Sequence, residues 1–256
     1  MACSFRLTYS TRMTTASASS KRHGLARAIS KMGLASRTEA ARQIMGGMVR
    51  VNGKIIRDPE YPVRMGLDRI ETGAGHAETR QFMAIMLNKP RGLLTTRSDE
   101  KQRATVYDYL PEDMPWLSPV GRLDKASEGL LLFCNDPAWA AGITSPESGP
   151  DKTYHVQIDC VPDQGLLKRL RAGVQTEVGF LAAKRIELLR QGQKNAWLEI
   201  VLDEGRNRQI RRLLEGFDIG VLRLIRTAIG ALPLGSLPKG QWRKLTEDDL
   251  TLLNHA

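Results

Sequence analysis

The stretch Gly121-Arg122-Leu123-Asp124-Lys125-Ala126-Ser127-Glu128-Gly129-Leu130-Leu131-Leu132-Phe133 constrains this 256-residue chain more than any other. From Leu130 to Phe133 it is too apolar to be anything but a buried strand. Gly121 permits a sharp bend ahead of that strand, so Asp124 is held at the mouth of a sheet between basic neighbours. A carboxylate left alone in an apolar setting would rise in pKa, and a nearby guanidinium would return it to the charged form. Arg122, two residues away in an extended segment, shares a side with Asp124 and can either pair with it or project to substrate. Asp124 is therefore the residue to explain.

The charge is unevenly distributed. Of the net +10, residues 1–75 carry 13 Lys and Arg against 5 Asp and Glu, so the rest of the chain is nearly neutral. A basic module joined to a neutral body suggests a handle for a polyanion, with nucleic acid first because phosphate contacts release counterions. The chain has no run of eighteen apolar residues, and no membrane span is expected. Cys3, Cys134 and Cys160 are odd in number and far apart, and His23, His76, His155 and His255 lack ligand spacing. These patterns indicate no disulfide framework, no metal and no cofactor, and they fit a reducing, cytoplasmic compartment.

In chain order, residues 1–20 are rich in Ser, Thr and Ala and read as a disordered leader, with Met13 as a second possible start. From Lys21, Leu25, Ala28, Ile29 and Met32 recur at helical spacing and Gly33 supplies a stop. Ser36-Arg37-Thr38-Glu39 reads as a capping box opening a second helix through Ala40, Ala41, Ile44 and Met45. Val49-Arg50-Val51, Asn52-Gly53 and Lys54-Ile55-Ile56 read as a hairpin on a type I′ turn. This places Arg27, Lys31, Arg37, Arg42, Arg50 and Lys54 at the surface. These residues, over about 22–70, resemble the αL-type RNA-binding module first known from a small-subunit ribosomal protein. The resemblance implies binding of structured RNA by shape and phosphate. The module is assigned residues 21–72, a small polar linker 73–80 and a larger domain 81–254.

The larger domain opens with an expected buried strand, Phe82 to Leu87. A tight bend at Asn88-Lys89-Pro90-Arg91-Gly92 follows, then a second strand at Leu93 to Thr96; Lys89 and Arg91 at such a bend can seat a phosphate. A short helix is expected at Thr105–Leu110, an Ala-rich helix after Asp136-Pro137 and a strand at Lys152–Ile158. Beyond these come a helix at Val161–Arg171, strands at Ala183–Leu189, Ala196–Leu202 and Val221–Ile225, and a last helix capped by Thr246. The irregular alternation predicts an α+β body with a largely antiparallel mixed sheet and flanking helices. In the helix after Gly205, Ile210, Leu213, Leu214 and Phe217 form the buried stripe. Arg208 and Arg212 then fall opposite it, whereas Arg211 falls at its edge and can face Asp124.

Four motifs in order resemble the pseudouridine synthases, in the small-subunit-type ribosomal-RNA branch that carries an αL-type module. They are Asn88-Lys89-Pro90-Arg91-Gly92, Gly121-Arg122-Leu123-Asp124 with Gly129-Leu130-Leu131-Leu132, Lys152-Thr153-Tyr154, and Glu204-Gly205-Arg206-Asn207-Arg208-Gln209-Ile210-Arg211-Arg212. Ser127 stands where that family more often has Thr, and both keep the hydroxyl. The resemblance implies an isomerase that breaks the N-glycosidic bond of a uridine, rotates the base and rejoins it through carbon. Asp124 would be its essential carboxylate, attacking sugar or base or removing a sugar proton. Tyr154 would stack on the base, Arg211 would pair with Asp124, and Arg122, Lys89, Arg91, Arg206 and Arg208 would hold the nucleotide and its phosphates. The partner implied is ribosomal RNA or a ribosome assembly intermediate, met by a monomer. The competing readings are a non-catalytic RNA-binding assembly factor and an RNA methyltransferase, the latter lacking any glycine-rich cofactor loop.

Overall fold

The computed structural model describes residues 22–72, 75–76, 81–97 and 99–254. The expected leader, residues 73, 74 and 77–80 of the expected linker, Cys3 and His255 lie outside them. The described residues fall into two compact units that divide near residue 80.

The first unit comprises β1 (His23–Gly24), α1 (Leu25–Lys31), α2 (Arg37–Met45), β2 (Val49–Val51), β3 (Lys54–Ile55), β4 (Pro62–Val63), β5 (Ile70–Thr72) and β6 (Gly75–His76). Helix α1 buries Leu25, Ala26, Ala28 and Ile29, and Gly33 follows it at φ +68°. Ser36 caps α2 by accepting from the Glu39 amide at 3.1 Å. The other half of the expected box does not form, because the Glu39 carboxylate turns forward to Arg42 at 3.0 Å and to Gln43. Asn52 at φ 51° and Gly53 at φ 81° make the turn between β2 and β3, as two central residues in the left-handed region require. Val49 and Val51 point inward while Arg50 points out. Gly75 and His76, expected within the linker, pair instead with β5.

The second unit continues with β7 (Ala84–Lys89), a 3-10 turn (Val106–Tyr109), β8 (Ser118–Val120), β9 (Glu128–Cys134), α3 (Pro137–Thr144) and β10 (Lys152–Ile158). Then come α4 (Gln164–Ala172), β11 (Val174–Thr176), β12 (Gly179–Leu181), β13 (Arg185–Gln191), β14 (Ala196–Leu202), α5 (Gln209–Glu215), β15 (Val221–Ile229), β16 (Leu232–Pro233), β17 (Trp242–Lys244) and α6 (Glu247–Asn254). Its main sheet runs β13-β14-β10-β15-β9-β7-β17, with β8 added on β9 and β16 on β15. Every pairing is antiparallel except β9 with β15. This is the mixed, largely antiparallel α+β architecture expected.

Strand β9 is buried at all seven positions. Leu130 and Leu132 enter one core with Met86, Ile143 and Leu253, while Leu131 and Phe133 enter another with Ile85, Leu87 and Val106. A strand covered on both faces needs no polar alternation, which accounts for the unbroken apolar run. A third core joins α4 and α5 to β10, β13 and β14 through Leu167, Leu170, Ile186, Leu198, Ile210 and Leu213.

Several boundaries differ from those expected. Phe82 is exposed and edge-on to Trp139, and β7 runs on through Asn88 and Lys89. Leu93–Thr96 is not a strand; Leu94 makes only an isolated bridge to Thr105. Helix α4 starts at Gln164 because Asp163 caps it through the Leu166 amide.

Candidate active site

The segment between β8 and β9 leaves the sheet at Gly121, whose φ of +74° makes the bend. From Leu123 to Ser127 every backbone carbonyl is taken. The Leu123 oxygen accepts from the Thr95 hydroxyl at 2.7 Å, and the Lys125 oxygen accepts from the Gly92 amide at 2.7 Å. The Ser127 amide and the Lys89 ammonium both donate to the Asp124 oxygen. Arg211 Nη2 donates to the Ala126 oxygen at 3.3 Å and Lys89 Nζ to the Ser127 oxygen at 2.8 Å. Such a loop cannot relax without giving up several bonds at once. The Asp124 side chain, half-buried, has no hydrogen bond or ion pair from any described residue.

Asp124 opens into a cleft whose walls include Arg122, Lys152, Tyr154, Arg211 and Arg226. Lys152 and Tyr154 share a face of β10 with Val156 and Ile158, which continue into the core beneath. Helix α5 forms the facing wall. Arg208, expected on the helix, instead precedes it in the left-handed region at φ 53° and caps nothing with its side chain. Gln209 fixes the approach: its Nε2 donates to Glu204 at 2.8 Å and to the Ala182 carbonyl, and its Oε1 accepts from the Arg206 amide. Ile210, Leu213 and Leu214 are buried, and Arg211 lies half-buried at the edge of that stripe, as helical spacing requires.

Two expectations need correction. Arg211 forms no ion pair with Asp124: its Nη2 donates to the Ala126 carbonyl instead, and its Nε is buried without a partner among the described residues. The carboxylate still acts on it at longer range. Burial and the neighbouring Arg208 lower the Arg211 pKa, while Asp124 opposes that shift. Lys89 presents nothing to a phosphate, since it is fully buried with its ammonium on the carbonyls of Pro90, Asp124 and Ser127. Its residence at the inner end of β7, rather than on an exposed bend, is the reason. Arg91 is exposed and donates to the Leu222 carbonyl outside the cleft. Arg206, Arg208 and Arg122 line the cleft, Arg206 also pairing with Glu204 at 2.9 Å. Arg27, Lys31, Arg37, Arg42, Arg50 and Lys54 are all exposed.

Residues 83–216 match the model of the RNA pseudouridylate synthase family, and residues 24–68 match that of the S4 domain. The chain belongs to the RNA pseudouridylate synthase family. A relative from Aquifex aeolicus (strain VF5), described as an uncharacterized RNA pseudouridine synthase, is 36% identical over 89% of this chain and 92% of its own. Another from Bacillus subtilis (strain 168), ribosomal large subunit pseudouridine synthase B, is 34% identical over 90% and 94%. A crystal structure of a pseudouridylate synthase superposes with a TM-score of 0.64 at 26% identity, covering 90% of this chain and 99% of that one. This pseudouridylate synthase is thus an RNA isomerase with an N-terminal S4 domain.

Motif reading passes over several groups in and around its cleft. Thr95 and Gln209 brace the loops that carry Asp124 and Arg211. Lys152 was visible only as the first letter of Lys152-Thr153-Tyr154, although a residue two places from Tyr154 on a strand shares its face. Arg226 lies in the middle of β15, where a cation interrupts an apolar strand, and that interruption was the available signal.

Proposed function

We propose that this RNA pseudouridylate synthase converts one uridine of ribosomal RNA to pseudouridine in the Asp124 cleft. It acts as a monomer in the cytoplasm, on the RNA or an assembly intermediate. The observation that carries the reading is an Asp124 carboxylate unpaired among the described residues, on a loop with every carbonyl from 123 to 127 occupied, in one cleft with Tyr154 and Arg211. The names of relatives from Bacillus subtilis and Haemophilus influenzae support the large-subunit RNA as target.

In this reading the target nucleotide leaves its stack, at a cost of a few kcal/mol, and contacts to the rest of the RNA offset that cost. Exposed cations of the first unit grip phosphates without reading sequence. Arg122, Arg206 and Arg208 at the cleft, with Arg91 beside it, hold the phosphates flanking the extruded nucleotide. Tyr154 stacks against the uracil and lies in place to help remove its C5 proton. Asp124 is the essential carboxylate, and Arg211 holds it in place through Ala126 while keeping positive charge nearby. Lys89 serves the same loop from beneath.

Asp124→Asn tests the assignment. RNA affinity is expected to stay within about twofold while single-turnover pseudouridine formation is abolished; retained activity overturns it. Mapping pseudouridines in ribosomal RNA from cells with and without the protein identifies the target, and loss of one large-subunit position is the expected result.

A further inference from the structure

Two cations of the cleft form no ion pair with a carboxylate among the described residues. Lys152 is 9% exposed and Arg226 is 5% exposed, and both line the cleft that Asp124 enters. Arg226 Nε donates to the Leu130 carbonyl at 2.7 Å, which fixes the guanidinium, but its Nη2 is buried with no partner. No hydrogen bond or ion pair from a described residue holds the Lys152 ammonium. Burial, and then repulsion by Arg226, depress the Lys152 pKa, with Asp151 and Asp203 opposing the shift at longer range. Their placement is built into the sheet. Tyr154 stands opposite Arg226 across β10 and β15, and a register shift between Thr153 and Tyr154 marks a bulge beside it, a device that re-aims side chains near sites. Gly129, opposite Arg226 on β9, sits at φ +100°, where an added Cβ would overlap the Arg226 backbone. Elsewhere in the same unit a buried charge is neutralised: Glu128 takes Arg223 at 3.0 Å and 3.1 Å, and Lys239 as well. Buried charges are ordinarily paired; Asp124 also lines the cleft but makes no ion pair with Lys152 or Arg226, so this pair indicates negative charge supplied by the ligand.

We infer that Lys152 and Arg226 are catalytic residues that stabilise the uracil anion as it leaves the ribose. The inference rests on the reading that the target uridine occupies the Asp124 cleft. When the N1–C1′ bond breaks, its electron pair stays on the base, and the negative charge spreads over N1, O2 and O4. This holds whether the carboxylate attacks the sugar or removes a sugar proton. The base then turns and C5 bonds to C1′, breaking the carboxylate–C1′ bond on the first route or with the proton returned to the sugar on the second; the C5 proton is lost and N1 takes up a proton, so the isomerisation leaves no net charge on the ring. Fixed cations facing the carbonyl oxygens lower the barrier because they are oriented before the charge appears and need no reorganisation. A phosphate occupant would demand the same charge, but it carries that charge equally before and during reaction and so would affect binding rather than rate.

Lys152→Met separates these cases, since it keeps the stem and removes only the charge. In the full-length protein, the single-turnover rate at saturating RNA is expected to fall about 10²–10³-fold, the loss typical of one such donor. RNA affinity should stay within about twofold, and the melting temperature should hold or rise, because an unpaired buried charge has been removed. Lys152→Arg should recover part of the rate. The decisive comparison uses RNA with 5-fluorouridine at the target position, whose base leaves more readily as an anion: cleavage of its glycosidic bond should be slowed less by Lys152→Met than that of uridine. Weaker binding with the saturating rate intact would make the site a phosphate anchor and overturn the inference. A rate loss with an equal loss of melting temperature would reduce Lys152 to a structural role, and an unchanged rate would exclude it. Asp124→Asn run alongside distinguishes the failures: activity in that variant means the cleft is not the site. An inactive Asp124→Asn with an active Lys152→Met refutes only the anion-stabilising pair.

Discussion

Lys89 holds the Asp124 loop at a cost that pH can reveal. Burial of its ammonium lowers its pKa from 10.5 to about 8, with Asp124 and Glu128 pulling it back up. Between those values the folded protein binds fewer protons at this residue than the unfolded chain, so stability from this source rises with pH across about 8 to 10.5 and is absent below about 8. Urea unfolding of wild type and Lys89→Met at pH 8 and pH 10 checks this: wild type should gain on the variant with rising pH, and a constant difference refutes it. Arg211→Ala removes the donor to Ala126 and with it the guanidinium that ties α5 to the loop. The missing hydrogen bond costs stability by about 1 kcal/mol, but a small displacement of the carboxylate costs about 10²-fold in rate. Full single-turnover activity in that variant would rule out a positioning role. Residue pattern alone points to Asp124 and the edge position of Arg211, and the family resemblance adds Tyr154, because motif and helical spacing are local. It could not show that Lys89 turns inward or that Arg211 chooses a carbonyl over the carboxylate, because both depend on which backbone groups the folded loop leaves without partners.

At the scale of elements, β9 is the member on which the sheet depends, since it pairs with β7, β8 and, in parallel, β15. Gly129 makes the last pairing possible: an added Cβ would press on the Arg226 carbonyl and lie 2.9 Å from its nitrogen, at a φ of +100° that side chains rarely adopt. Gly129→Ala is therefore expected to destabilise the second unit by about 3 kcal/mol or more, measured by urea unfolding, whereas a loss under about 1 kcal/mol would show that β15 can shift away. Elements with strong local signals were legible: the Asn52-Gly53 hairpin, the Asp136-Pro137 start of α3, β10 and β14. Short elements were not. Val174–Thr176 with Gly179–Leu181, and the edge strands at 232–233 and 242–244, owe their pairing to partners distant in sequence, and two or three residues carry too little periodicity to declare it.

For the whole molecule, the division of charge predicts a division of labour. The 13 basic against 5 acidic residues in positions 1–75 include the exposed cations of an S4 domain, while Arg122, Lys152, Arg211 and Arg226 of the second unit line one cleft. Surface cations act through counterion release, so their contribution is screened by salt; buried cations act on the reacting base and are screened little. Replacing Arg37, Arg42, Arg50 and Lys54 together by Gln should weaken RNA binding at low salt and flatten the dependence of log Kd on log salt by about 0.7 to 0.9 for each phosphate no longer neutralised. The rate at saturating RNA should be unchanged, because none of the four enters the cleft. Lys152→Met should do the reverse, leaving the salt slope alone and slowing the saturated reaction. An unchanged slope in the quadruple variant would move RNA anchoring to the second unit, and a slowed saturated rate would mean that the first unit does more than hold the RNA.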